Sequence, residues 1–310
     1  MLQNRFIAGL AVLSLFICLY GCGKSEELRV IDLNDTIELE AMKTVDGEAV
    51  LNICVGSMIT PEEGYAYYKR LLDYIGEKLA MKIRFIEKRT YAEVNALLES
   101  GDIDVAFVCG GPYVEGHDRF GLELLAAPLV NGKPLYYSYI IVPKESDTDS
   151  FEKLRGKVFA FVDPMSNTGN LVPRSMLQSI GETPENFFSE FMYTYSHDHS
   201  IKAVAQGIVD GAAVDSLIWD YLDKKGSRNT NRTRKIHVSK PYGIPPVVSR
   251  PGLDAALKER IRSVLLNMHT TPDGTDILGG MFIERFVPID DSNYETIRRT
   301  RSRIEDAGGS

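Results

Sequence analysis

The stretch Asp163-Pro164-Met165-Ser166-Asn167-Thr168-Gly169-Asn170-Leu171-Val172-Pro173-Arg174 organises this chain. It follows the run Lys157 to Val162, which is rich in β-branched and aromatic residues. Such a run, followed by Asp-Pro, small polar residues and an apolar helical pattern, predicts a strand, a loop and the start of a helix. The first N–H groups of a helix lack intrahelical partners, and the macrodipole adds partial positive charge there, so anions bind at such ends. We therefore expect the backbone amides of Asn167 to Gly169 and the hydroxyls of Ser166 and Thr168 to bind a phosphoryl-type or carboxylate group.

The two hydroxyls also have a simpler alternative role. Ser and Thr are preferred N-cap residues because their side-chain oxygen accepts a hydrogen bond from an N–H in the first helical turn. Capping by Ser166 or Thr168 alone would explain their position. The rest of the chain has to decide between capping and anion binding.

Strand-like and helical patterns alternate along the rest of the chain. The first series predicts strands at Val50 to Val55, Lys82 to Glu87, Asp104 to Cys109, Leu122 to Val130 and Tyr136 to Pro143, and helices at Glu62 to Ala80 and Tyr91 to Ser100. The second series predicts strands at Lys157 to Val162, Phe191 to Tyr195 and Ala212 to Asp215, and helices at Gly169 to Ile180 and Ser200 to Ala205. Short strands that alternate with helices favour an α/β fold with mainly parallel sheets and ligands at the carboxyl ends of the strands.

Because the alternating series occurs twice, the sequence predicts two lobes. Lobe I is expected to be discontinuous, with residues 49–140 plus 240–310, and lobe II to span residues 141–239. The run Lys240 to Val248 is too rich in proline for a central strand and is expected to cross between the lobes, as are the residues near Tyr139 to Pro143. A terminal helix at Asp291 to Glu305 is expected to pack on lobe I.

The N-terminal segment is typical of an export signal. An uncharged run from Phe6 to Tyr20 is short for a membrane-spanning helix, which needs about 20 residues, and it ends in Leu19-Tyr20-Gly21-Cys22. This ending is similar to a bacterial lipoprotein cleavage site. We therefore expect residues 1–21 to be a signal peptide, Cys22 to be the lipidated first residue of the mature protein, and residues 22–48 to be a tether. Ordinary cleavage and an uncleaved anchor are the alternatives.

Composition narrows the function classes further. The formal net charge is −8, and no basic stretch indicates a nucleic-acid-binding surface. Cys54 and Cys109 lie in apolar strand-like runs, so we expect two buried thiols, although an exported protein also permits a disulfide between them. The spacing of the cysteines and histidines fits no metal site, and we expect neither a metal nor a cofactor.

Four motifs follow one another between residues 49 and 290. They are Gly101-Asp102-Ile103-Asp104-Val105-Ala106-Phe107 with Gly111-Pro112, the Asp163 to Pro173 stretch, Ser196-His197-Asp198, and Gly207 to Ser216. In this order they resemble the phosphate/phosphite/phosphonate-binding proteins of bacterial ABC transporters, a family of periplasmic solute-binding lipoproteins. The resemblance implies a type II periplasmic-binding fold, in which two lobes joined by two strands close on a ligand.

The resemblance also implies which residues bind that ligand. The phosphonate group of such proteins sits on the helix start that matches Ser166, Asn167, Thr168 and Gly169, and the ligand faces a His, an acid and a Tyr that match His197, Asp215 and Tyr91. Each of these has an alternative role. His197 could contact Asp198 or solvent, Asp215 could cap the helix that begins near Ser216, and Tyr113, expected at the end of a strand, either lines the cleft or packs.

The expected function is the capture of a small oxyanion for delivery to an ABC permease, by a protein anchored in the periplasm or at the cell surface through lipid only. Val108-Cys109-Gly110 replaces an aromatic residue often found in the family, and Asn167 replaces a smaller one, so phosphonate, phosphite and phosphate all remain open. A sensory binding protein of the same fold is the first alternative. A cofactor-free enzyme of this fold is the second, but the sequence has no Gly-x-Ser-x-Gly motif and no Cys paired with a nearby His.

Overall fold

Two mixed β-sheets covered by helices build the two lobes. The computed structural model describes residues 44–45, 48–56 and 61–308, with side chains at 49–56 and 68–306. The expected signal peptide, Cys22 and most of the tether lie outside the described residues. Within the described ranges, no helix has the length and apolar character needed to cross a membrane.

The secondary structure alternates much as the sequence predicts. The strands are β1 (Thr44–Val45), β2 (Glu48–Val55), β3 (Lys82–Ile86), β4 (Val105–Phe107), β5 (Glu123–Leu129), β6 (Leu135–Tyr136), β7 (Ser138–Pro143), β8 (Val158–Phe161), β9 (Glu190–Tyr193), β10 (Gly211–Asp215), β11 (Thr233–Val238), β12 (Tyr242–Gly243), β13 (Val247–Ser249) and β14 (Arg285–Val287). The helices are α1 (Pro61–Leu79), α2 (Tyr91–Ser100), α3 (Gly110–Phe120), α4 (Val172–Ser179), α5 (Pro184–Phe187), α6 (His197–Ala205), α7 (Ser216–Lys224), α8 (Ala255–Asn267), α9 (Pro272–Gly280) and α10 (Glu295–Gly308). A π-helical turn, Asn167–Leu171, leads into α4, and short 3₁₀ turns lie at Glu152–Leu154, Thr230–Arg232, Met268–Thr270 and Asp291–Tyr294.

Each sheet combines a parallel core with antiparallel strands. Lobe I has the order β1-β2-β4-β13-β5-β14, with β3 on β2, and β3, β2 and β4 are parallel. Lobe II has the order β11-β7-β10-β8-β9, in which β10, β8 and β9 are parallel and β7 is antiparallel to β10. The two-lobed α/β architecture is thus confirmed, and the sheets are mixed.

A short pair of strands joins the lobes. Tyr242 and Gly243 of β12 pair antiparallel with Tyr136 and Leu135 of β6, just before β7 enters the lobe II sheet. The prediction that the proline-rich run contains no central strand is wrong, because β13 lies between β4 and β5 in lobe I. Pro245 and Pro246 lie immediately before this strand, where they do not have to donate a backbone N–H to a neighbouring strand.

Two helices differ from expectation. Helix α3 was not predicted, and Tyr113 lies inside it rather than at the end of a strand. Helix α10 packs on α3 of lobe I but also on α4 and the π-helical turn of lobe II, where Gln178 Nε2 donates to the carbonyl of Arg303 at 3.0 Å. The predicted contact of the terminal helix with lobe I is present, and the helix contacts lobe II as well.

Candidate anion-binding site

The loop after β8 turns into α4 through one turn of π-helix. Ser166 caps this turn, since its Oγ accepts a hydrogen bond from the N–H of Gly169 at 3.0 Å. Gly169 is required there, because a Cβ at this position would lie 2.6 Å from the side chain of Val162. Ser166, Asn167, Thr168 and Gly169 are all buried. The predicted helix start is therefore present, and the loop that carries it is packed tightly.

Asn167 and Thr168 connect this loop to the strands around it. Asn167 Nδ2 donates to the hydroxyl of Tyr136 at 3.0 Å. The carbonyl of Thr168 accepts from Ser138 Oγ at 2.6 Å. Asn167 Oδ1 and Thr168 Oγ1 are buried and have no hydrogen-bond partner among the described residues.

The thiol of Cys109 lies against the same loop. Its Sγ is 3.6 Å from the hydroxyl of Tyr136. Burial raises the pKa of Cys109, the charge of Asp215 raises it further, and hydrogen bonds from the backbone N–H groups of Asn167 and Gly111 only partly oppose this. The thiol is therefore protonated at neutral pH.

His197 is held in one tautomer. Its Nδ1 is 2.9 Å from the backbone nitrogen of Asp215, and since that N–H must donate, Nδ1 accepts and the ring proton is on Nε2. Burial lowers the pKa of His197 to about 3, so the ring is neutral. Nε2 is buried without a partner among the described residues. A neutral imidazole thus offers one N–H donor.

Asp215 ends β10 and caps α7. Its Oδ1 accepts from the N–H of Leu217 at 2.7 Å, whereas Oδ2 is buried with no partner in the described part of the chain. Burial raises the pKa of Asp215 to about 7, although hydrogen bonds from the backbone N–H groups of Leu217 and Ile218 oppose the rise. The capping alternative is therefore real, and one carboxyl oxygen remains available beyond it.

Tyr91 approaches from lobe I at the start of α2. Its backbone N–H donates to Asp163 Oδ2 at 3.1 Å, a hydrogen bond between the lobes. Its hydroxyl is buried and lacks a partner among the described residues. Burial raises the pKa of Tyr91, so the phenol is protonated and can donate a hydrogen bond.

Hydrogen bonds and strand pairing connect Thr168, Asp215 and His197 to one another. Ser138, which holds the carbonyl of Thr168, pairs across β7 and β10 with Asp215, whose N–H binds His197. The buried side-chain atoms without a partner in the described ranges include Tyr91 Oη, Asn167 Oδ1, Thr168 Oγ1, Ser196 Oγ, His197 Nε2 and Asp215 Oδ2. Buried polar groups are normally hydrogen-bonded, so these unpaired atoms are candidates for contact with a ligand.

Tyr113 does not join this group. Its hydroxyl donates to Asp291 Oδ1 at 2.8 Å, and its ring packs on Tyr294 with centroids 4.6 Å apart. The packing alternative therefore describes this residue better than a position in the cleft. Sequence reasoning also missed Tyr136 and Ser138, whose only signal was their place at the start of a strand that crosses between the lobes.

The lobes are in close contact beside the site. A Cβ on Gly111 of α3 would lie 2.0 Å from the carbonyl oxygen of Met165 and 3.3 Å from the backbone nitrogen of Asn167. This approach requires glycine at position 111. The structure is therefore a closed arrangement, in which the lobe I helix touches the loop of lobe II that carries Ser166.

Comparison with known proteins finds similar sequences and structures. Residues 53–294 match the family model described as "ABC transporter, phosphonate, periplasmic substrate-binding protein". The chain is 24% identical over 236 residues to the phosphonates-binding periplasmic protein of Escherichia coli K12, which covers 74% of this chain and 70% of that protein.

Two solved structures share the fold. One is a binding protein component of an ABC phosphonate transporter from Pseudomonas aeruginosa, with a TM-score of 0.79, 21% identity and coverage of 83% of this chain and 87% of the other. The second is PhnD1 from Prochlorococcus marinus in complex with methylphosphonate, with a TM-score of 0.76, 18% identity and coverage of 83% and 98%.

Proposed function

This chain belongs to the family of periplasmic substrate-binding proteins of phosphonate ABC transporters, and we propose that it captures a phosphonate or a closely related oxyanion between its lobes. The phosphoryl oxygens accept hydrogen bonds from the loop Ser166–Gly169, from Nε2 of His197 and from the hydroxyl of Tyr91. Closure of the lobes then presents the loaded protein to an ABC permease.

The unpaired buried atoms around the site carry this proposal. Each buried donor or acceptor without a partner costs about 1 to 3 kcal/mol, so a closed protein with several of them is incomplete. Tyr91, Thr168, Ser196 and His197 all bring N–H or O–H donors. An oxyanion supplies the several acceptors that such a set of donors requires.

The acid at the site suits more than one kind of ligand. Because its pKa is about 7, Asp215 is present in both protonation states near neutral pH. The protonated carboxyl donates to a phosphoryl oxygen, whereas the ionised carboxylate accepts from a ligand ammonium or a protonated phosphoryl oxygen. Aminoalkyl phosphonates, simple phosphonates and phosphate are therefore all compatible with the site, each with its own protonation state of Asp215.

We propose binding without chemistry. Cys109 is a nucleophile type at the site, but burial raises its pKa, and the thiol rather than the thiolate is present. His197 accepts from a backbone N–H through Nδ1, so its ring is committed to donating through Nε2 rather than to taking a proton from a nucleophile. These two features support a solute-binding role rather than that of a cofactor-free enzyme.

The mature protein is proposed to be attached to the membrane through lipid on Cys22, which lies outside the described residues. The support is the short apolar run that ends in Leu19-Tyr20-Gly21-Cys22. Mass spectrometry of detergent-extracted protein should show a diacylglyceryl group on an N-terminal Cys22. An unmodified cysteine in a freely soluble product would reject the anchor and leave the binding function untouched.

Two hydroxyl deletions test the site. Thr168→Val removes an unpaired hydroxyl at nearly constant shape, so we expect unchanged thermal stability and a loss of about 1.5 to 3 kcal/mol of binding, roughly ten- to hundredfold in affinity. Ser166→Ala also removes the cap on Gly169 and should lower stability by about 1 kcal/mol.

Calorimetric titration with methylphosphonate, phosphate and 2-aminoethylphosphonate, beside thermal melts, measures both effects. If Thr168→Val binds its best ligand as tightly as the wild type, the loop is structural and the site assignment is wrong.

A further inference from the structure

A cavity of about 350 Å³ lies between the lobes on the other side of Asp215. Aromatic side chains on its walls include Tyr68 and Phe107 from lobe I, Tyr139 and Tyr221 from lobe II, and Phe282, and acidic and basic side chains lie among them. A volume of this size lies in the range of pockets for organic ligands and exceeds by roughly tenfold the volume of about 30 Å³ that one water occupies in the liquid. A phosphoryl group on the loop at Ser166 would leave this space unfilled.

Asp215 connects the cavity to the anion site, because it lines the cavity while its backbone N–H binds His197. Tyr68 of lobe I lines the same cavity. A substituent on a ligand held at the anion site would therefore pass Asp215 and enter the aromatic space.

An aromatic contact between the lobes closes the far side of the cavity. The rings of Tyr221 on α7 and Phe282 after α9 meet edge to face with centroids 5.7 Å apart, and the Lys224 ammonium lies 4.9 Å from the centre of the Phe282 ring. Since α7 belongs to lobe II and α9 to lobe I, this contact forms only when the lobes are closed.

The backbone at Phe282 supports a dedicated role for its ring. Its φ is +55°, a left-handed conformation that is unfavourable for a bulky residue. The N–H of Ile283 bonds to the carbonyl of Leu278, and that of Phe282 to Gly279, so Phe282 occupies the position after the helix where glycine is the usual residue. Strain of this kind is typical of ligand clamps.

We propose that this cavity is a subsite for an apolar, preferably aromatic, substituent of the ligand, so that the protein prefers organophosphonates with an aryl or extended alkyl group over methylphosphonate. This inference rests on the proposed function, since the phosphoryl group must be held at the Ser166 loop. Tyr221 and Phe282 close over the substituent once it is in place.

The test compares two probes on the full chain by calorimetric titration. Phenylphosphonate should bind at least about tenfold more tightly than methylphosphonate, because burial of each CH₂-sized group contributes about fourfold in affinity. Val130→Trp places a large side chain in the cavity wall, while the backbone pairing of Val130 with Lys133 is retained. This variant should bind methylphosphonate as the wild type does and lose the preference for phenylphosphonate.

Tyr221→Ala provides a second variant that does not fill the cavity. It should speed the dissociation of phenylphosphonate more than that of methylphosphonate, as measured by stopped flow. If the wild type binds phenylphosphonate no more tightly than methylphosphonate, the subsite is overturned and the proposed function stays intact. The same holds if the preference for phenylphosphonate survives both substitutions. Absence of binding to methylphosphonate, phenylphosphonate and phosphate alike would instead remove the proposed function, and the subsite with it.

Discussion

Replacing Gly111 by alanine should prevent closure without disturbing either lobe. The added Cβ would lie 2.0 Å from the carbonyl oxygen of Met165, whereas real contacts of this kind are rarely closer than 3.0 Å. The obstacle is backbone, and it cannot move alone: the N–H of Met165 binds Asp163 Oδ1 at 2.8 Å, and the carbonyl of Pro164 accepts from Asn170 Nδ2 at 2.6 Å. The lobes must therefore separate by about 1 Å or more at this point.

The expected loss of ligand affinity follows from the contacts that separation of the lobes would break. The hydrogen bond between the lobes from Tyr91 N–H to Asp163 involves an acid and contributes about 1.5 to 3 kcal/mol, and the bond from Asn167 to Tyr136 contributes about 0.5 to 1.5 kcal/mol. If closure supplies this energy to ligand binding, its loss lowers affinity by roughly 30- to 1,500-fold. Folding should not suffer, because alanine is a better helix former than glycine in α3.

A matched control separates closure from helix propensity. Gly279→Ala adds the same methyl group to α9, where nothing lies within 4 Å of the new Cβ. Calorimetry should show weak binding for Gly111→Ala only, and X-ray scattering with saturating methylphosphonate should show compaction for the wild type and Gly279→Ala only. If Gly111→Ala binds and compacts like the wild type, the contact between α3 and the loop does not govern closure, and the reasoning fails.

Two further predictions concern titratable groups. Asp215→Asn should weaken the binding of 2-aminoethylphosphonate far more than that of methylphosphonate, and equal effects on both ligands would show that the carboxylate does not contact the ammonium group. Binding of 2-aminoethylphosphonate to the wild type near pH 7 should also release a proton from Asp215. Calorimetry in buffers of different ionisation enthalpy detects this release. His197 has a folded pKa of about 3 and an unfolded one near 6.5, so its contribution to stability is complete above pH 6.5 and falls as the pH drops towards 3. Urea unfolding across this range should show that His197→Gln reduces the loss of stability on the acid side. The raised pKa of Asp215 has the opposite effect, because it favours the folded state at low pH and this stability is lost as the pH rises to about 7. Asp215→Asn should therefore remove that opposite dependence of stability on pH. Identical profiles for the wild type and His197→Gln would contradict a buried neutral imidazole.

Sequence reasoning succeeded where the determinants are local. The predicted bounds of α2, Tyr91 to Ser100, match the structure because Thr90 and Glu93 form a capping box and Gly101 adopts a left-handed conformation. These signals depend on residues within one helix. The same is true of the predicted helix start after β8, whose cap, Ser166, and glycine, Gly169, lie within four residues of each other.

It failed where other segments determine the outcome. Helix α3 begins with two glycines and a proline and has no side-chain cap, so its sequence does not resemble a helix start. Its glycines are explained by the neighbours they meet, since Gly111 touches Met165 of the other lobe. The role of Tyr136 likewise depends on Asn167, which is distant in sequence, and no local pattern could indicate that contact.

Capping and anion binding are not exclusive at Ser166. Its Oγ accepts from Gly169, but a hydroxyl accepts and donates at once, so its proton remains available to a ligand. In the π-helical turn the N–H groups of Asn170 and Leu171 both bond to the carbonyl of Ser166, at 3.1 and 2.9 Å. The cap engages the N–H of Gly169, one of the three amides that the sequence predicted as donors to an anion. Loss of the Ser166 hydroxyl should therefore lower stability and affinity together, whereas loss of the Thr168 hydroxyl should lower affinity alone. This contrast distinguishes a loop that binds an anion from a loop that only begins a helix.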